Sequence, residues 1–164
     1  MIGLSAAERD EIEAFIHLEA RYADESRYAE WEALVTDDIH YWVPFGRADY
    51  EPGSRMSFIN DNRTRLATRI RQLQTGHRHA QTPPSPMRRV ISNLELLERT
   101  EIEYLIGGNF VLYELAAQAT RNLRLWAGRT TWRLRRTPEG LRMCRKVVEL
   151  VNGGEALPSL AFII

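Results

Sequence analysis

The chain has 164 residues, of which 22 are basic and 22 acidic, so its formal net charge is zero. This length and a hydrophobic content of 44% predict a single globular domain over residues 1–164 and exclude a disordered chain. The one cysteine, Cys144, excludes an internal disulfide and an iron–sulfur cluster held by this chain. We expect no membrane span, because no apolar run approaches roughly 20 residues, and no signal peptide, so the expected location is the cytoplasm.

Charge is distributed unevenly along the chain. Residues 1–60 contain 13 acidic and 5 basic side chains, whereas residues 61–164 contain 9 acidic and 17 basic ones. Every basic residue is arginine except Lys146. A basic segment can bind nucleic acid, but no recognised nucleic-acid motif accompanies it, so we expect no such partner. Arginine instead suits partly buried, bidentate contacts between subunits.

The N-terminal third is predicted to be helical. Ser5 and Glu8 have the spacing of a capping box at a helix start. The apolar positions that follow recur at helical spacing and predict one buried face, at Ile12, Phe15, Ile16, Leu18, Tyr22 and Ala23. A short second helix follows, and a third is predicted over about residues 62–74, with Asp61 or Asn60 as its N-cap.

The rest of the chain is predicted to be mainly β-structure. Residues 39–43 form a β-rich run, and residues 46–60 carry the glycines and proline typical of a loop. Gly107 and Gly108 predict a bulge that bends the sheet. Four segments have the pattern of an antiparallel meander, at about residues 88–98, 101–116, 120–136 and 140–151. Helices followed by a long sheet predict an α+β fold, with the helices covering one face of a curved, mostly antiparallel mixed sheet.

His77 and His79 would place two imidazoles on one side of an extended segment. With a carboxylate, such a pair would make a two-histidine, one-carboxylate iron site. No third ligand is indicated nearby in the sequence. The competing interpretation, a pair of loop histidines before a proline run, is therefore favoured.

Asp38, His40 and Tyr41 lie where the first strand would enter a cone-shaped cavity. A buried carboxylate beside a tyrosine can perform acid–base chemistry. The favoured alternative is that Asp38 turns the chain, while Tyr41 and Trp42 are the core and surface positions of one strand.

The remaining candidates favour structural roles. His17 is predicted to be a satisfied core or interface histidine, and Cys144 a structural thiol. The tryptophans are expected in the core and at interfaces rather than in a cofactor site, at Trp31, Trp42, Trp126 and Trp132. From the residues alone, the sequence predicts a fold and no convincing catalytic set.

An ordered set of short motifs resembles one protein family over roughly residues 15–164. The motifs are Glu19 to Trp31, Leu34 to Pro44, Asp61-Asn62-Arg63 with Leu66 and Arg69, Thr75-Gly76-His77, Pro83-Pro84-Ser85, Arg88-Arg89, Ile91-Ser92-Asn93 and Leu157-Pro158-Ser159-Leu160. In this order they resemble the small (β) subunit of bacterial Rieske-type aromatic-ring-hydroxylating dioxygenases.

The resemblance implies a cone-shaped NTF2-like fold, shared with nuclear transport factor 2, ketosteroid isomerase and scytalone dehydratase. It implies a structural chain that braces a catalytic large (α) subunit, commonly as three copies of each, with the small subunits forming a trimer. The large subunit would hold the Rieske [2Fe–2S] cluster and the mononuclear Fe(II). The complex would cis-dihydroxylate aromatic compounds with O2 and electrons from NAD(P)H delivered by redox partners. No catalytic, cofactor-binding or metal-ligating residue is therefore expected in this chain.

A second hypothesis stays open at this point. The same fold could serve a stand-alone isomerase, dehydratase or ligand-binding protein that uses the cone cavity, with Asp38, Tyr41 and one histidine as its acid–base candidates. For the structural role, we expect subunit contacts mainly from residues 88–98 and 120–136 and from the C-terminal tail. These segments combine arginine, tryptophan and aliphatic side chains, which suit interfaces.

Overall fold

The helices lie early in the chain and the long strands late, in the order that the sequence predicts. The computed structural model describes residues 1, 3–75, 84–116 and 121–164. Within these residues the helices are α1 (Ala6–Asp24), α2 (Tyr28–Glu32) and α3 (Arg63–Gln74). The strands are β1 (Val35–Pro44), β2 (Ser57–Asp61), β3 (Met87–Arg99), β4 (Glu103–Leu115), β5 (Leu123–Thr137) and β6 (Gly140–Leu150).

The strands form one six-stranded sheet in the order β2-β1-β6-β5-β4-β3. Strands β3 to β6 make the predicted meander, in which each strand is antiparallel to the next. β2 is antiparallel to β1, whereas β1 runs parallel to β6. The sheet is therefore mixed but mostly antiparallel, which confirms the predicted α+β class. Within the described part of the chain, no helix combines the length and hydrophobicity of a membrane span.

The start of α1 is fixed by the predicted capping box. The Ser5 hydroxyl accepts a hydrogen bond from the Glu8 backbone N–H, and the Glu8 carboxylate accepts one from the Ser5 backbone N–H at 2.9 Å. These bonds satisfy backbone donors that the first turn of a helix leaves unpaired. The apolar face predicted for α1 is buried or packed against the core.

The start of α3 differs from the prediction by one residue. Its N-cap is Asn62, whose side chain accepts a hydrogen bond from the Arg65 backbone N–H at 3.0 Å. Asp61 and Asn60 were the predicted caps, and both are wrong. Asp61 lies in β2 and accepts a hydrogen bond from Arg69 at 2.6 Å, so its carboxylate ties the sheet to α3 instead.

The segment 46–60, predicted to be a loop, ends in the strand β2. β2 pairs with β1, and its buried Ile59 lies opposite Val43. The loop before it covers the outer side of β1, where Tyr50 packs edge-on against Trp42 with 5.3 Å between ring centres. Trp42 is therefore 1% exposed, and its predicted surface position is wrong.

The two glycines of β4 do not interrupt that strand. Gly107 and Gly108 stay in continuous register with β5, so the predicted bulge does not lie in β4. The register shifts instead in the neighbouring β3, around Asn93, whose φ is 54°. A Cβ on Gly108 would lie 2.6 Å from the Leu94 side chain, so the glycine lets the bulged strand pack closely.

One hydrophobic core fills the space between the helices and the face of the sheet that points toward them, which we call the inner face. Its large, fully buried side chains come from both layers and include Ile12, Ile16, Trp31, Tyr41, Leu66, Ile70, Ile106 and Trp132. Trp132 and Leu134 are buried while Arg133 and Arg135 are partly exposed, which confirms the alternation seen in the sequence. The opposite, outer face is therefore rich in arginine.

The end of the chain belongs to the same core. Phe162, Ile163 and Ile164 are at most 3% exposed. The Tyr41 hydroxyl donates to the Ile164 carbonyl at 3.1 Å and accepts from the Ile164 N–H at 3.1 Å. The prediction that the tail serves subunit contacts is therefore wrong for these three residues, because they are buried against their own chain.

Candidate functional site

The residues predicted as an acid–base set are separated by the sheet. Tyr41 is fully buried on the inner face, and burial raises the pKa of its hydroxyl. Asp38 lies on the outer face, where its half-exposed carboxylate accepts a hydrogen bond from Arg135 at 2.9 Å. A hydrogen bond from Thr36 and the contact with Arg135 lower the pKa of Asp38. Asp38 therefore cannot act together with Tyr41 on one substrate.

The histidines and the cysteine are also dispersed. His40 bonds to Asn60 at 2.9 Å and stacks on Trp42, on the outer side of β1. His17 is exposed on α1, so the predicted core position is wrong and an interface position stays a prediction. Cys144 is buried, and burial raises the pKa of its thiol, which suits the structural role predicted for it.

The predicted iron ligands His77 and His79 lie outside the described residues. Among the residues that the structure does describe, no group of three or more histidine, cysteine, aspartate or glutamate side chains comes together as a metal site. The four tryptophans are at most 4% exposed. Trp31, Trp126 and Trp132 lie in the hydrophobic core as expected, whereas Trp42 is buried under the loop on the outer side of β1.

The inner face holds an ion pair that the sequence analysis missed. Lys146 of β6 donates to Glu19 of α1 at 2.7 Å, and each side chain is 1% exposed. Trp31 donates to the same Glu19 oxygen at 2.6 Å. Burial opposes ionisation of Glu19, but the charges of Lys146 and Arg89 outweigh it and its pKa is lowered. Burial lowers the pKa of Lys146.

A second inner pair ties the end of α1 to β3. The Arg89 guanidinium donates to Asp24 at 2.7 Å, and the Arg89 backbone N–H donates to the other oxygen of Asp24 at 2.8 Å. Arg89 also donates to the Ile163 carbonyl at 2.9 Å. These contacts join helix, sheet and tail, and the Lys146–Glu19 pair beside them is 1% exposed at both side chains.

Both members of the Lys146–Glu19 pair had a signal in the sequence. Glu19 lies within the apolar stripe of α1, at helical spacing from Ile12, Ile16 and Ala23. Lys146 is the only lysine in the sequence, and on β6 it lies opposite the buried Trp132 of β5. A charged residue in an apolar pattern is rarely buried unless it is paired. Each signal was present, but the partner became identifiable only in the fold.

A cavity of about 270 Å³ lies at the open end of the inner face. Among the described residues it is lined by Ser26, Tyr28, Leu73, Gln74, Pro84, Ser85, Met87, Glu114, Ala161 and Phe162. Glu114 is 6% exposed and accepts a hydrogen bond from Trp126 at 2.9 Å. Burial raises the pKa of Tyr28. The acid–base candidates Asp38, His40 and Tyr41 do not line this cavity.

One half of the outer face carries a lattice of ion pairs, which we call the arginine lattice. Glu103 accepts from Arg135 at 2.7 Å and from Arg133 at 3.3 Å. Arg133 reaches on to Glu98 at 3.2 Å, and Arg135 reaches Asp38. The hydrogen bond from Arg135 is the main cause of the lowered pKa of Glu103. These side chains are between 17% and 59% exposed, so water reaches every pair and each contributes less to stability than a fully buried pair.

The other half of the outer face is apolar, and we call it the apolar rows. Val90 lies opposite Val111, which lies opposite Ala127. In the next rows Tyr113 lies opposite Leu125, and Leu115 opposite Leu123. The most exposed members are Val90 at 60%, Leu123 at 67%, Leu125 at 62% and, beside Ala127, Val151 at 81%. A contiguous exposed apolar surface of this kind marks an interaction site.

Comparison with known proteins identifies the family. The sequence profile of the family described as "Ring hydroxylating beta subunit" matches residues 18–153. The chain belongs to this family. It is 30% identical over 137 residues to the benzene 1,2-dioxygenase subunit beta of Pseudomonas putida, covering 78% of this chain and 72% of that one.

Solved structures agree on the fold of this family member. The beta subunit of benzoate 1,2-dioxygenase from Burkholderia mallei matches with a TM-score of 0.77 at 20% identity, over 99% of this chain and 100% of that one. An NTF2-like protein with a cystatin-like fold from Novosphingobium aromaticivorans matches with a TM-score of 0.58 at 17% identity, over 88% and 82% of the two chains. The predicted NTF2-like fold is confirmed.

Proposed function

We propose that this chain is the structural β subunit of an aromatic-ring-hydroxylating dioxygenase, and that it braces a catalytic α subunit. The observation that supports this most directly is the contrast between the two faces of the sheet. The inner face is filled by packed side chains and internal ion pairs apart from the cavity of about 270 Å³, which the acid–base candidates do not line. The outer face combines the apolar rows with the arginine lattice. A protein built for contact rather than chemistry has this distribution.

The redox centres of the assembly would lie in the α subunit. A Rieske centre takes two cysteines and two histidines, and this chain contains one cysteine. The complex would add both atoms of O2 to an aromatic ring, with electrons from NAD(P)H delivered by redox partners. This chain would hold its α subunit in place and carry no catalytic residue of its own.

The assembly would contain three copies of each chain, with the β subunits forming a trimer. The apolar rows and the segments 88–98 and 120–136 would supply most of the contact surface. Obligate interfaces often bury about 2,000 Å² or more in total. The apolar rows span parts of the three strands β3, β4 and β5.

Co-expression with the α subunit tests this function. The two chains should copurify at equal stoichiometry, and dihydroxylation of an aromatic substrate should require both of them together with the redox partners. The α subunit alone should lose activity or solubility when this chain is withheld. The variant Leu125→Asp, which places a charge in the apolar rows, should prevent copurification. The control variant Val35→Thr, at a position outside the apolar rows, should not. Turnover by this chain alone would contradict the proposal.

A further inference from the structure

Arg145 occupies the middle of the outer face. It lies on the central strand β6, directly opposite Arg133 of β5 and paired in register with His40 of β1. With Arg133 it lines a cavity of about 190 Å³ on this face. The other described lining residues are Trp42, Ala48, Leu105, Thr131, Val147 and Glu149.

Arg145 differs from Arg129, Arg133 and Arg135 on the same face in having no carboxylate partner among the described residues. Arg129, Arg133 and Arg135 each form an ion pair within the chain. No described residue forms an ion pair or a hydrogen bond with the Arg145 side chain, and its Nε is buried without an acceptor. The nearby Glu149 accepts from the Ala48 backbone N–H at 2.8 Å.

This arrangement is unfavourable for the chain by itself. Two arginines directly opposite on neighbouring strands repel each other, and only Arg133 is neutralised by carboxylates of its own chain. A buried donor without an acceptor is unfavourable, because it has lost its hydrogen bonds to water without replacement. A carboxylate entering the cavity would remove both penalties, because the guanidinium presents paired donors that match its two oxygens.

We propose that Arg145 receives an aspartate or glutamate side chain of the α subunit, as the polar centre of the interface. This inference rests on the proposed function. Trp42, Leu105 and Val147 surround the guanidinium with apolar surface, which is the environment of arginines that dominate binding energy at protein interfaces. The two facing guanidiniums of Arg133 and Arg145 favour a negatively charged partner. The apolar side chains around them favour a carboxylate that belongs to the surface of a folded protein.

The test uses the copurified complex and the variants Arg145→Gln and Arg145→Glu. Arg142→Gln is the matched control, because Arg142 lies on the same strand and, among the described residues, donates only to the backbone carbonyls of Glu139 and Leu141. We expect Arg145→Gln to raise the dissociation constant of the complex by about tenfold or more, and Arg145→Glu by about a hundredfold or more. The control should stay within about twofold. Thermal unfolding of each isolated variant checks that the fold is kept, and Arg145→Lys serves if Arg145→Gln does not fold.

Lysine keeps the charge but not the paired donors, so Arg145→Lys should weaken binding by an intermediate factor. A charge reversal of the contacted α-subunit carboxylate to lysine should restore binding by Arg145→Glu. Unchanged affinity for the α subunit in Arg145→Gln would overturn the inference while leaving the proposed function intact. The inference would also be overturned if an Arg145 variant lost self-association of this chain but kept its affinity for the α subunit. It would be overturned as well if free acetate saturated the Arg145 site. Failure of the wild-type chain to bind the α subunit would overturn both.

Discussion

Carboxylate–cation pairs occur on both faces of the same sheet, in opposite surroundings. On the inner face, Glu19 and Lys146 are each 1% exposed and share their contact with Trp31. On the outer face, Glu103 is 17% exposed and Arg135 31% exposed. The hydrogen-bond lengths are the same, 2.7 Å in both pairs. What differs is access to water.

The comparison shows that burial, rather than hydrogen-bond length, decides how much an ion pair matters for the stability of the fold. Removing one member of a buried pair leaves a charge that water cannot reach, so the pair is needed to maintain the fold. An exposed pair is nearly balanced by hydration, so its members remain available for another partner. The inner pair therefore holds the chain together, and the outer face remains available for contact with other chains.

The largest expected effect comes from breaking the inner pair. Lys146→Met should lower the free energy of unfolding by about 3–5 kcal/mol, because it leaves the Glu19 carboxylate buried without a counter-charge. Urea denaturation followed by tryptophan fluorescence measures the loss. The double variant Glu19→Gln with Lys146→Met should recover most of it, since glutamine still accepts from Trp31 and no charge is left unpaired. A single variant as stable as wild type would contradict the role given to the pair.

A smaller effect is expected from the outer face. Glu103→Gln should lower the free energy of unfolding by about 1 kcal/mol or less, because its contacts with Arg133 and Arg135 are accessible to water. The difference from wild type should shrink further at high salt, where exposed charges are screened. Urea denaturation at low and high ionic strength measures it. A loss as large as that of Lys146→Met would show that the arginine lattice supports the fold and would remove the contrast between the faces.

The smallest effect concerns Glu8, at the exposed start of α1. Hydrogen bonds from the Ser5 backbone and hydroxyl and from Tyr104 hold the pKa of Glu8 at about 2, against an ordinary value of 4.5. Since the folded-state pKa is the lower one, the stability from this group is present above pH 4.5 and is lost as the pH falls toward 2.

Chemical denaturation of wild type and Glu8→Gln between pH 6 and about 2 tests this. The free energies of unfolding of the two proteins should differ most near pH 6 and become equal as the pH approaches about 2. The glutamine still accepts from Ser5 but does not titrate. The free energy of unfolding of the Glu8→Gln variant should therefore lack the pH dependence that Glu8 causes in wild type. A difference that grows as the pH falls would contradict the cause assigned to the shift.

Local sequence patterns were enough to predict most of the helices and strands. The capping box at Ser5, the apolar face of α1 and the four long strands were predictable, because each depends on neighbours within a few residues. The pattern failed at β2, a five-residue strand that pairs with β1 across a loop. It also failed at Trp42, which is an outward position of its strand and is buried by that same loop.

The sequence by itself determined the fold class, the order of the elements, and the lack of a second cysteine for an iron–sulfur cluster, since these follow from composition and local periodicity. Only the tertiary structure decided that Glu19 meets Lys146, that Asp38 and Tyr41 lie on opposite faces, and that the buried Nε of Arg145 has no acceptor among the described residues. Each of these depends on which strands become neighbours. The free energy of such pairings comes from contacts between residues far apart in the chain, and no local pattern records it.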